Sequence, residues 1–285
     1  MRSLLFVPAD SERKLARSLE SGADALILDL EDSVAAPNRP TARRLARQFL
    51  DAHGPDRVRR YVRINPLDSG LALDDLAATV AGRPDGILLP KCRPEDVRTL
   101  DHYLSAFEAA AGAAVGQIRI IAIATETPQA VFALGGYGGV SPRLEAITWG
   151  AEDLSACLGG SNRTEAGEYD GPYTLARSLC LLAAAAAEVV AIDTIYTDFR
   201  DPDGLNAEAR AARRSGFTAK MAIHPAQITT INEAFSVSAA ERAWAERVIA
   251  AFAAQPDAGT LALDGKMIDR PHLVLARRLL GLPPG

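Results

Sequence analysis

Cysteine and histidine are scarce in this sequence, whose 285 residues include three Cys and four His. The cysteines, Cys92, Cys157 and Cys180, are widely spaced and odd in number. This pattern argues against a disulfide framework or a Cys-based zinc site, so we expect reduced thiols without a chemical role. With so few Cys and His ligands, a metal site in this protein is expected to use oxygen ligands, which favour a hard cation.

A basic surplus and long apolar runs are also missing. The net charge is −5, which does not suit a phosphate backbone, so we expect no nucleic-acid partner. The longest wholly apolar run, 179–187, ends at Glu188, far short of the roughly 20 residues of a membrane-spanning helix. The N-terminal apolar run covers only five residues, whereas a secretory signal has a core of about 7 to 15. We therefore expect a cytoplasmic protein without a membrane segment.

The main feature that is present is a series of eight short runs rich in Val, Ile and Leu. Segments with helical spacing and charged faces separate them, and the runs are nearly continuous in hydrophobicity, as in parallel strands covered by helices. An open doubly wound sheet would carry a glycine fingerprint after its first strand, but that strand leads here into VPAD. The order predicts a (β/α)8 TIM barrel over residues 1–235, with a C-terminal helical extension over 236–285. The runs are 4–7, 25–30, 60–64, 86–90, 119–124, 146–150, 189–196 and 219–223.

Ionisable residues follow seven of these eight runs. In a barrel the carboxyl ends of all strands meet at one mouth, so these side chains are expected to gather there. So many carboxylates repel one another unless cations offset them, and Arg63, Lys91 and a divalent metal are the candidates. We expect Mg²⁺, with Mn²⁺ fitting the same ligands. The first polar residues after the runs are Asp29, Glu31, Asp32, Arg63, Asn65, Lys91, Glu126, Glu152, Asp153, Asp193, Asp198 and His224.

Structural alternatives stay open for individual members of this set. Glu126 precedes Thr127 and Pro128, a good N-cap and first-turn pair, and so fits a solvated residue before a helix. Asp153 fits a cap of the segment that follows it. His224 fits a hydrogen-bonded structural imidazole better than a general base.

Several strings taken together carry a family resemblance. They are RSLLFVPAD, DLED, RIN, LPK, ATET, GAEDL, AIDT, GFTAKMAIHPAQI, INEAF and GKMIDRPH, in this order between Arg2 and Arg278. The sequence thus resembles the citrate lyase beta-subunit and malyl-CoA lyase group of the HpcH/HpaI aldolase superfamily. The resemblance implies metal ligation by Glu126 and Asp153 and substrate binding by Arg63 together with Glu126.

The chemistry implied is Mg²⁺-dependent cleavage or formation of a carbon–carbon bond. A 3-hydroxyacyl-CoA such as citryl-CoA or malyl-CoA would give an acyl-CoA and a 2-keto acid such as oxaloacetate or glyoxylate. Arg63 would stabilise the developing thioester enolate, or it could form an internal ion pair with Glu31 or Asp32. Glu31 and Asp32 would fix metal-bound waters, and Lys91 would neutralise them.

Three alternative functions remain within this resemblance. One is a malate synthase-like condensation with thioester hydrolysis, and another is an aldolase acting on a hydroxy acid without CoA. The third is a keto-acid-binding subunit of a larger lyase complex without turnover of its own.

The C-terminal extension and the N-terminal strand are also expected to contribute to the site. The resemblance implies a homo-oligomer, a trimer or a multiple of it, in which the extension delivers Asp269 as a catalytic acid to a neighbouring subunit. Asp269 could instead cap the last helix, since Arg270 and Pro271 follow it. Coenzyme A, as part of the substrate, would contact Arg2, Phe6, Pro8 and Lys14.

Overall fold

The first unit of the chain is a closed barrel of eight parallel strands in sequence order. The computed structural model describes residues 1–54 and 58–283. Each strand overlaps its predicted run, so the predicted TIM barrel is confirmed. The strands are β1 Ser3–Pro8, β2 Ala25–Asp29, β3 Arg59–Arg63, β4 Gly86–Leu89, β5 Arg119–Ile123, β6 Leu144–Thr148, β7 Val190–Asp193 and β8 Ala219–Ala222.

Helices follow the strands and begin at residues that satisfy their free first-turn N–H groups. The side chains of Ser11, Thr127 and Asp201 each accept a backbone N–H of the helix that they precede. Within the described residues, none of the helices is long and apolar enough to cross a membrane. The barrel helices are α1 Glu12–Ser18, α2 Arg39–Ala52, α3 Ala72–Thr79, α4 Pro94–Ala110, α5 Pro128–Ala133, α6 Ala151–Leu158, α7 Gly171–Ala186, α8 Pro202–Ser215 and α9 Ile228–Ala234.

The alternation of side chains along each strand divides the barrel into two apolar layers. One set of positions fills the lumen, where Leu4, Ile27, Tyr61, Leu88 and Ile121 pack together. The other set packs outward against the helices and forms the larger cluster. Both faces of the strands are therefore covered, which is why the sequence runs are continuously apolar rather than alternating.

Residues after Phe235 form a second compact unit, Ser236–Gly285. It contains α10, Ala239–Ala254, and α11, Arg270–Leu279, as the expected helices. Between them lies an antiparallel hairpin of β9, Thr260–Leu263, and β10, Lys266–Asp269, where only helices were expected. The Asp264–Gly265 turn has φ angles of 52° and 73°, the backbone that Asp-Gly hairpin turns adopt. The unit has its own core, formed by Ala245, Val248, Phe252, Ile268 and Ala276.

Gly86 in β4 provides a test of packing in the lumen. A Cβ atom there would lie 2.7 Å from Cε1 of Tyr61 and 2.9 Å from the Arg119 carbonyl oxygen. The Tyr61 hydroxyl donates to Glu145 over 2.6 Å, so the ring cannot move away freely. We predict that Gly86→Ala lowers the free energy of unfolding by about 2 kcal/mol, as overpacking typically does.

The measurement is urea denaturation of the purified protein. Gly171→Ala is the control, because beyond its chain neighbours and its own helix backbone no atom lies within 4 Å of the added Cβ. We expect a change within about 0.5 kcal/mol. Equal stability of Gly86→Ala and wild type would contradict this account of the lumen.

Candidate active site

A cavity of about 200 Å³ opens at the carboxyl ends of the barrel strands, the end at which TIM barrels place their active sites. Three residues singled out from the sequence, Arg63, Glu126 and Asp153, line it together. Its lining combines acidic residues with apolar ones. Its lining consists of Phe6, Pro8, Asp29, Ser33, Arg63, Ile123, Glu126, Trp149, Gly150, Ala151, Glu152, Asp153, Thr194, Ile195, Met221 and Ile223.

Arg63 is held at the cavity by a carboxylate on the neighbouring strand. Strand register pairs Asp29 with Arg63, and the guanidinium donates from Nε over 2.7 Å and from Nη2 over 2.6 Å to the two Asp29 oxygens. Nη1 lies 2.8 Å from Oε2 of Glu31. Burial alone would lower the pKa of Arg63, but the hydrogen bonds and charge of Asp29 outweigh it and raise the pKa. Arg63 therefore remains a cation with N–H groups left over for a ligand.

The ion-pair alternative for Arg63 is thus present, although its main partner is Asp29 rather than Glu31 or Asp32. Burial would raise the pKa of Asp29, and Arg63 outweighs it and holds the pKa below the ordinary value. Asp32 does not contact Arg63 in this arrangement; it pairs with Lys91 over 3.1 Å. Because Arg63 has five N–H donors, pairing and ligand binding are compatible.

Lys91 connects the acidic residues of the site. Its Nζ contacts Glu31 and lies 3.0 Å from Oδ1 of Asp153, while its backbone N–H donates to Glu126. Its φ of 49° lies in the left-handed region, which is unfavourable for a non-glycine residue. Burial would lower the pKa of Lys91, yet its carboxylate partners outweigh it and raise the pKa. The strained turn is what directs both its amide and its ammonium towards the acids.

Glu126 is the most constrained acid of the cavity. Its side chain is buried, and burial together with the negative charge of Asp153 raises the pKa of Glu126 well above its ordinary value. Gly150 lies against it, because a Cβ there would come within 2.7 Å of the Glu126 Cγ. The Gly150 amide in turn donates to Oγ1 of Thr125 over 3.0 Å. Close backbone approach therefore fixes where the Glu126 carboxylate points.

Trp149 is part of the apolar lining, and a hydrogen bond on the helix side of the barrel holds its ring. Its indole N–H donates over 2.8 Å to Asp193, which also accepts from Arg177 and Lys220. Burial would raise the pKa of Asp193, but Lys220 and Arg177 outweigh it and lower the pKa. The rings of Tyr169 and Trp149 meet in an edge-to-face contact, with their centroids 4.8 Å apart. The ring is thus held with its only hydrogen-bond donor directed out of the cavity.

The donor set fits a hard divalent cation. Five carboxylates, those of Asp29, Glu31, Asp32, Glu126 and Asp153, share the two cationic side chains of Arg63 and Lys91. A buried carboxylate with a raised pKa becomes favourable as an anion when a cation joins it. Across residues 1–54 and 58–283, no group of three or more His, Cys, Asp or Glu is placed to hold a metal. Glu126 and Asp153 would thus provide two ligands, with the rest from substrate and water, which is the manner of Mg²⁺.

The N-terminal residues expected to contact coenzyme A fall into two groups. Phe6 lines the cavity, with the Arg63 guanidinium 4.8 Å from its ring centroid, and Pro8 lies beside it. Lys14 is exposed on α1. Arg2, by contrast, precedes β1 at the opposite end of the barrel and binds Asp24. Arg2 is therefore too far from the mouth to be retained as a CoA contact.

His224 and Asp269 both make contacts within the fold that match their structural alternatives. His224 accepts the Ala226 amide at Nδ1 over 3.2 Å and stacks on Phe199 with a centroid distance of 4.7 Å, which agrees with the structural alternative. Asp269 directly precedes α11, and its Oδ1 lies 2.5 Å from Nδ1 of His272. The capping alternative for Asp269 is thus present in the second unit, while its side chain remains one-third exposed.

Sequence reasoning missed several features of the site and misplaced some residues, Arg2 and Asp193 among them. Asp193 was expected at the mouth, but it lies on the outer face of β7, because Ile192 before it points into the lumen. Strand alternation places Ile192 and Asp193 on opposite faces of β7, but the sequence does not say which of the two faces the lumen. The partnership of Asp29 with Arg63 and the steric role of Gly150 had no signal in the sequence, because both depend on which strands lie side by side.

Comparison with known proteins yields a consistent set of relatives. The family model described as HpcH/HpaI aldolase/citrate lyase matches residues 2–225. A (3S)-malyl-CoA thioesterase of Cereibacter sphaeroides is 36% identical over 288 residues, covering 98% of this chain and 93% of the relative. The citrate lyase subunit beta of Escherichia coli is 35% identical over 282 residues, covering 98% and 92%. The crystal structure of CitE from Mycobacterium tuberculosis with magnesium, acetoacetate and coenzyme A superimposes with a TM-score of 0.79 at 34% identity, covering 98% and 97%.

The contact between Gly150 and Glu126 gives a prediction for cation binding. We predict that Gly150→Ala weakens Mg²⁺ affinity by about tenfold or more, because the new methyl group displaces the Glu126 carboxylate. Isothermal titration calorimetry on the purified protein provides the measurement. Gly160→Ala is the control, since its nearest contact would be 3.9 Å away. Equal Mg²⁺ affinity of Gly150→Ala and wild type would show that Glu126 is not held in this way.

Proposed function

This chain belongs to the HpcH/HpaI aldolase/citrate lyase family, and we propose that it is a Mg²⁺-dependent lyase that cleaves or forms a 3-hydroxyacyl-CoA. The products of cleavage are an acyl-CoA and a 2-keto acid. The observation that carries the proposal is the convergence of Arg63, Glu126 and Asp153 on one small cavity. The CitE relative binds magnesium, acetoacetate and coenzyme A, which are the kinds of ligand that this cavity would hold.

In the proposed complex, Glu126 and Asp153 hold Mg²⁺. When bound, Mg²⁺ supplies Lewis-acid polarisation of the substrate oxygen next to the bond that breaks. Helix α6 begins at the cavity, where Gly150, Ala151 and Glu152 form part of the lining, and it has no side-chain cap. Its first-turn N–H groups are suited to orient one substrate carboxylate.

Arg63 is the proposed catalytic residue for the thioester half. On cleavage the hydroxyl proton passes to the carboxylate proposed below, that of Asp269 from a neighbouring copy. The carbon–carbon bond breaks, and its electron pair moves to the thioester as an enolate, whose carbon then takes up the proton. The guanidinium retains donors beyond those bound to Asp29, and it can stabilise the enolate oxygen. Because Asp29 and Glu31 fix the plane of the guanidinium, the donors are oriented before substrate arrives. The positive charge of Arg63 would then lower the activation barrier of cleavage, because the guanidinium does not have to reorient during the reaction.

Lys91, Glu31 and Asp32 are proposed to set the charge and water structure around this centre. Lys91 contacts both Glu31 and Asp153, so it holds a proposed ligand and a neighbouring acid in one network. Phe6, Pro8 and the exposed Lys14 form the proposed approach for coenzyme A. We propose that Asp269 from a neighbouring copy in a homotrimer provides the proton that the enolate carbon takes up.

Thioester hydrolysis is the second candidate function. It is favoured by the 36% identity to a (3S)-malyl-CoA thioesterase over nearly the whole chain. The same cavity would first hold the hydroxyacyl headgroup, and water would then attack the thioester carbonyl beside Arg63. The two functions give different products, since hydrolysis releases free CoA and a hydroxy acid whereas cleavage releases acyl-CoA and a keto acid.

The decisive experiment is a product analysis with the purified full-length chain and Mg²⁺. Malyl-CoA, citramalyl-CoA and citryl-CoA are supplied in turn, and keto acid, acyl-CoA and free CoA are quantified. The lyase proposal expects equal amounts of keto acid and acyl-CoA. Free CoA with hydroxy acid would favour hydrolysis, and no turnover of any thioester would favour a binding subunit.

The two proposed metal ligands provide a direct prediction. We predict that Glu126→Gln and Asp153→Asn each reduce Mg²⁺-dependent turnover by at least about 1,000-fold, because each removes one of two charged ligands. Steady-state kinetics with circular dichroism as a folding check are the measurements. Asp198→Asn is the matched control, since Asp198 is exposed on the loop after β7. Near-wild-type turnover in either ligand variant would rule out the assignment.

Asp269 provides a separate prediction that distinguishes its two roles. Asn is also a good N-cap, so Asp269→Asn keeps the cap of α11 while removing the acid. We predict that kcat falls by about 100-fold with KM little changed, as expected for loss of general acid catalysis. Asp264→Asn in the same unit is the control. An unchanged kcat in Asp269→Asn would assign this residue to capping alone.

A further inference from the structure

The apolar part of the cavity lining indicates which substituent the substrate can carry. It consists of five residues, which we refer to as the apolar wall: Ile123, Trp149, Ile195, Met221 and Ile223. They come from the carboxyl ends of β5 to β8. Glu126 and Asp153 also follow β5 and β6, whereas Asp29 and Arg63 come from β2 and β3. The lining from β7 and β8 contains no charged residue. With the chelating group of a substrate near Glu126 and Asp153 and its thioester near Arg63, this part of the wall is left for the remaining substituent.

The basic side chains at the cavity already have acidic partners, so none is available for a second carboxylate of the substrate. Among the described residues that line the cavity, Arg63 is the single basic side chain. Two of its N–H groups bind Asp29 and Nη1 lies beside Glu31, and the remainder is assigned to the thioester oxygen. Lys91, next to the cavity, contacts Glu31, Asp32 and Asp153. A second substrate carboxylate would add negative charge to a site that already has more acids than bases.

Neutral donors do not compensate for this shortage. The indole N–H of Trp149 is directed away from the cavity to Asp193, at 2.8 Å. The hydroxyl of Ser33 donates to Asp29. Thr194 is the remaining hydroxyl of the lining, and one neutral hydroxyl does not balance a buried carboxylate. A carboxylate placed against the wall would lose its hydration without gaining a partner of opposite charge.

Resting on the lyase function proposed above, we infer that the keto-acid half of the substrate is a monocarboxylic 2-oxo acid whose substituent is hydrogen or a short alkyl group. Glyoxylate and pyruvate belong to this class. A dicarboxylic 2-oxo acid such as oxaloacetate is discriminated against, because its second carboxylate falls on the apolar wall. The anchoring of Trp149 by Asp193 and Tyr169 keeps the wall from turning a donor inward.

A matched series of thioesters tests this selectivity. Malyl-CoA, citramalyl-CoA and citryl-CoA differ only in the substituent on the hydroxyl-bearing carbon, which is hydrogen, methyl or carboxymethyl. With Mg²⁺ and the wild-type chain, we expect kcat/KM for citryl-CoA to be on the order of 100-fold below that of the better of the other two substrates. The smallest difference consistent with the inference is about tenfold. A citryl-CoA value within tenfold of the others, or above them, would overturn the inference.

Ile223 allows the cause to be tested by a charge insertion. It is 37% exposed, so a lysine stem can be accommodated at this position. In Ile223→Lys the ratio of kcat/KM for citryl-CoA to that for citramalyl-CoA is expected to rise at least about tenfold, while the uncharged control Ile223→Met leaves the ratio within about twofold. An unchanged ratio in folded Ile223→Lys would overturn the role of the wall. Ile195→Lys replaces it if circular dichroism shows that the first variant is unfolded.

Failure of this inference can be distinguished from failure of the lyase proposal. Cleavage with a preference for citryl-CoA would overturn the selectivity and leave the lyase function standing. If no thioester is cleaved, the lyase function fails, and calorimetry with Mg²⁺ tests the selectivity through pyruvate and oxaloacetate. Tighter binding of pyruvate would then support the apolar wall as the selective element, and equal or tighter binding of oxaloacetate would overturn it.

Discussion

The central physical constraint in this protein is the burial of Glu126 beside a second carboxylate, Asp153. Burial and the negative charge of its neighbour both disfavour the ionised form of Glu126 and raise its pKa. A cation shared by the two carboxylates would relieve this cost, and the nearest ammonium, that of Lys91, is divided between Asp153 and two other acids. The proposal of a divalent ion at this position thus has an electrostatic argument that does not depend on the relatives.

The barrel supplies the rigidity that this arrangement requires. Glu126 and Asp153 follow neighbouring strands, β5 and β6, so the sheet fixes their separation. Gly150 brings backbone against the Glu126 side chain, and buried Asp193 anchors Trp149 from the helix side of β7. A lining residue, Gly150, and a residue behind the lining, Asp193, therefore both help to determine the shape of the cavity. The same rigidity gives the apolar wall its selectivity, since a wall that cannot rearrange cannot provide a missing charge.

Much of this architecture could be predicted from the sequence, because hydrophobic runs and strand ends are local features. The eight strands, the barrel and the family were predicted and are confirmed. Other features depend on contacts between distant segments and left no local pattern. The pairing of Asp29 with Arg63 requires the register of β2 and β3, and the outward direction of Asp193 requires knowing which face of β7 lines the lumen. The Asp264–Gly265 turn of the hairpin was a local signal that the helical expectation overlooked.

The central claim, that one divalent cation is held between Glu126 and Asp153, is tested most directly by anomalous diffraction. Crystals soaked with Mn²⁺ and pyruvate are measured at a wavelength where manganese scatters anomalously. The account predicts that the strongest peak lies between these two carboxylates, with pyruvate oxygens completing its coordination. A peak elsewhere among the acids of the mouth, or none at Glu126 and Asp153, would contradict it.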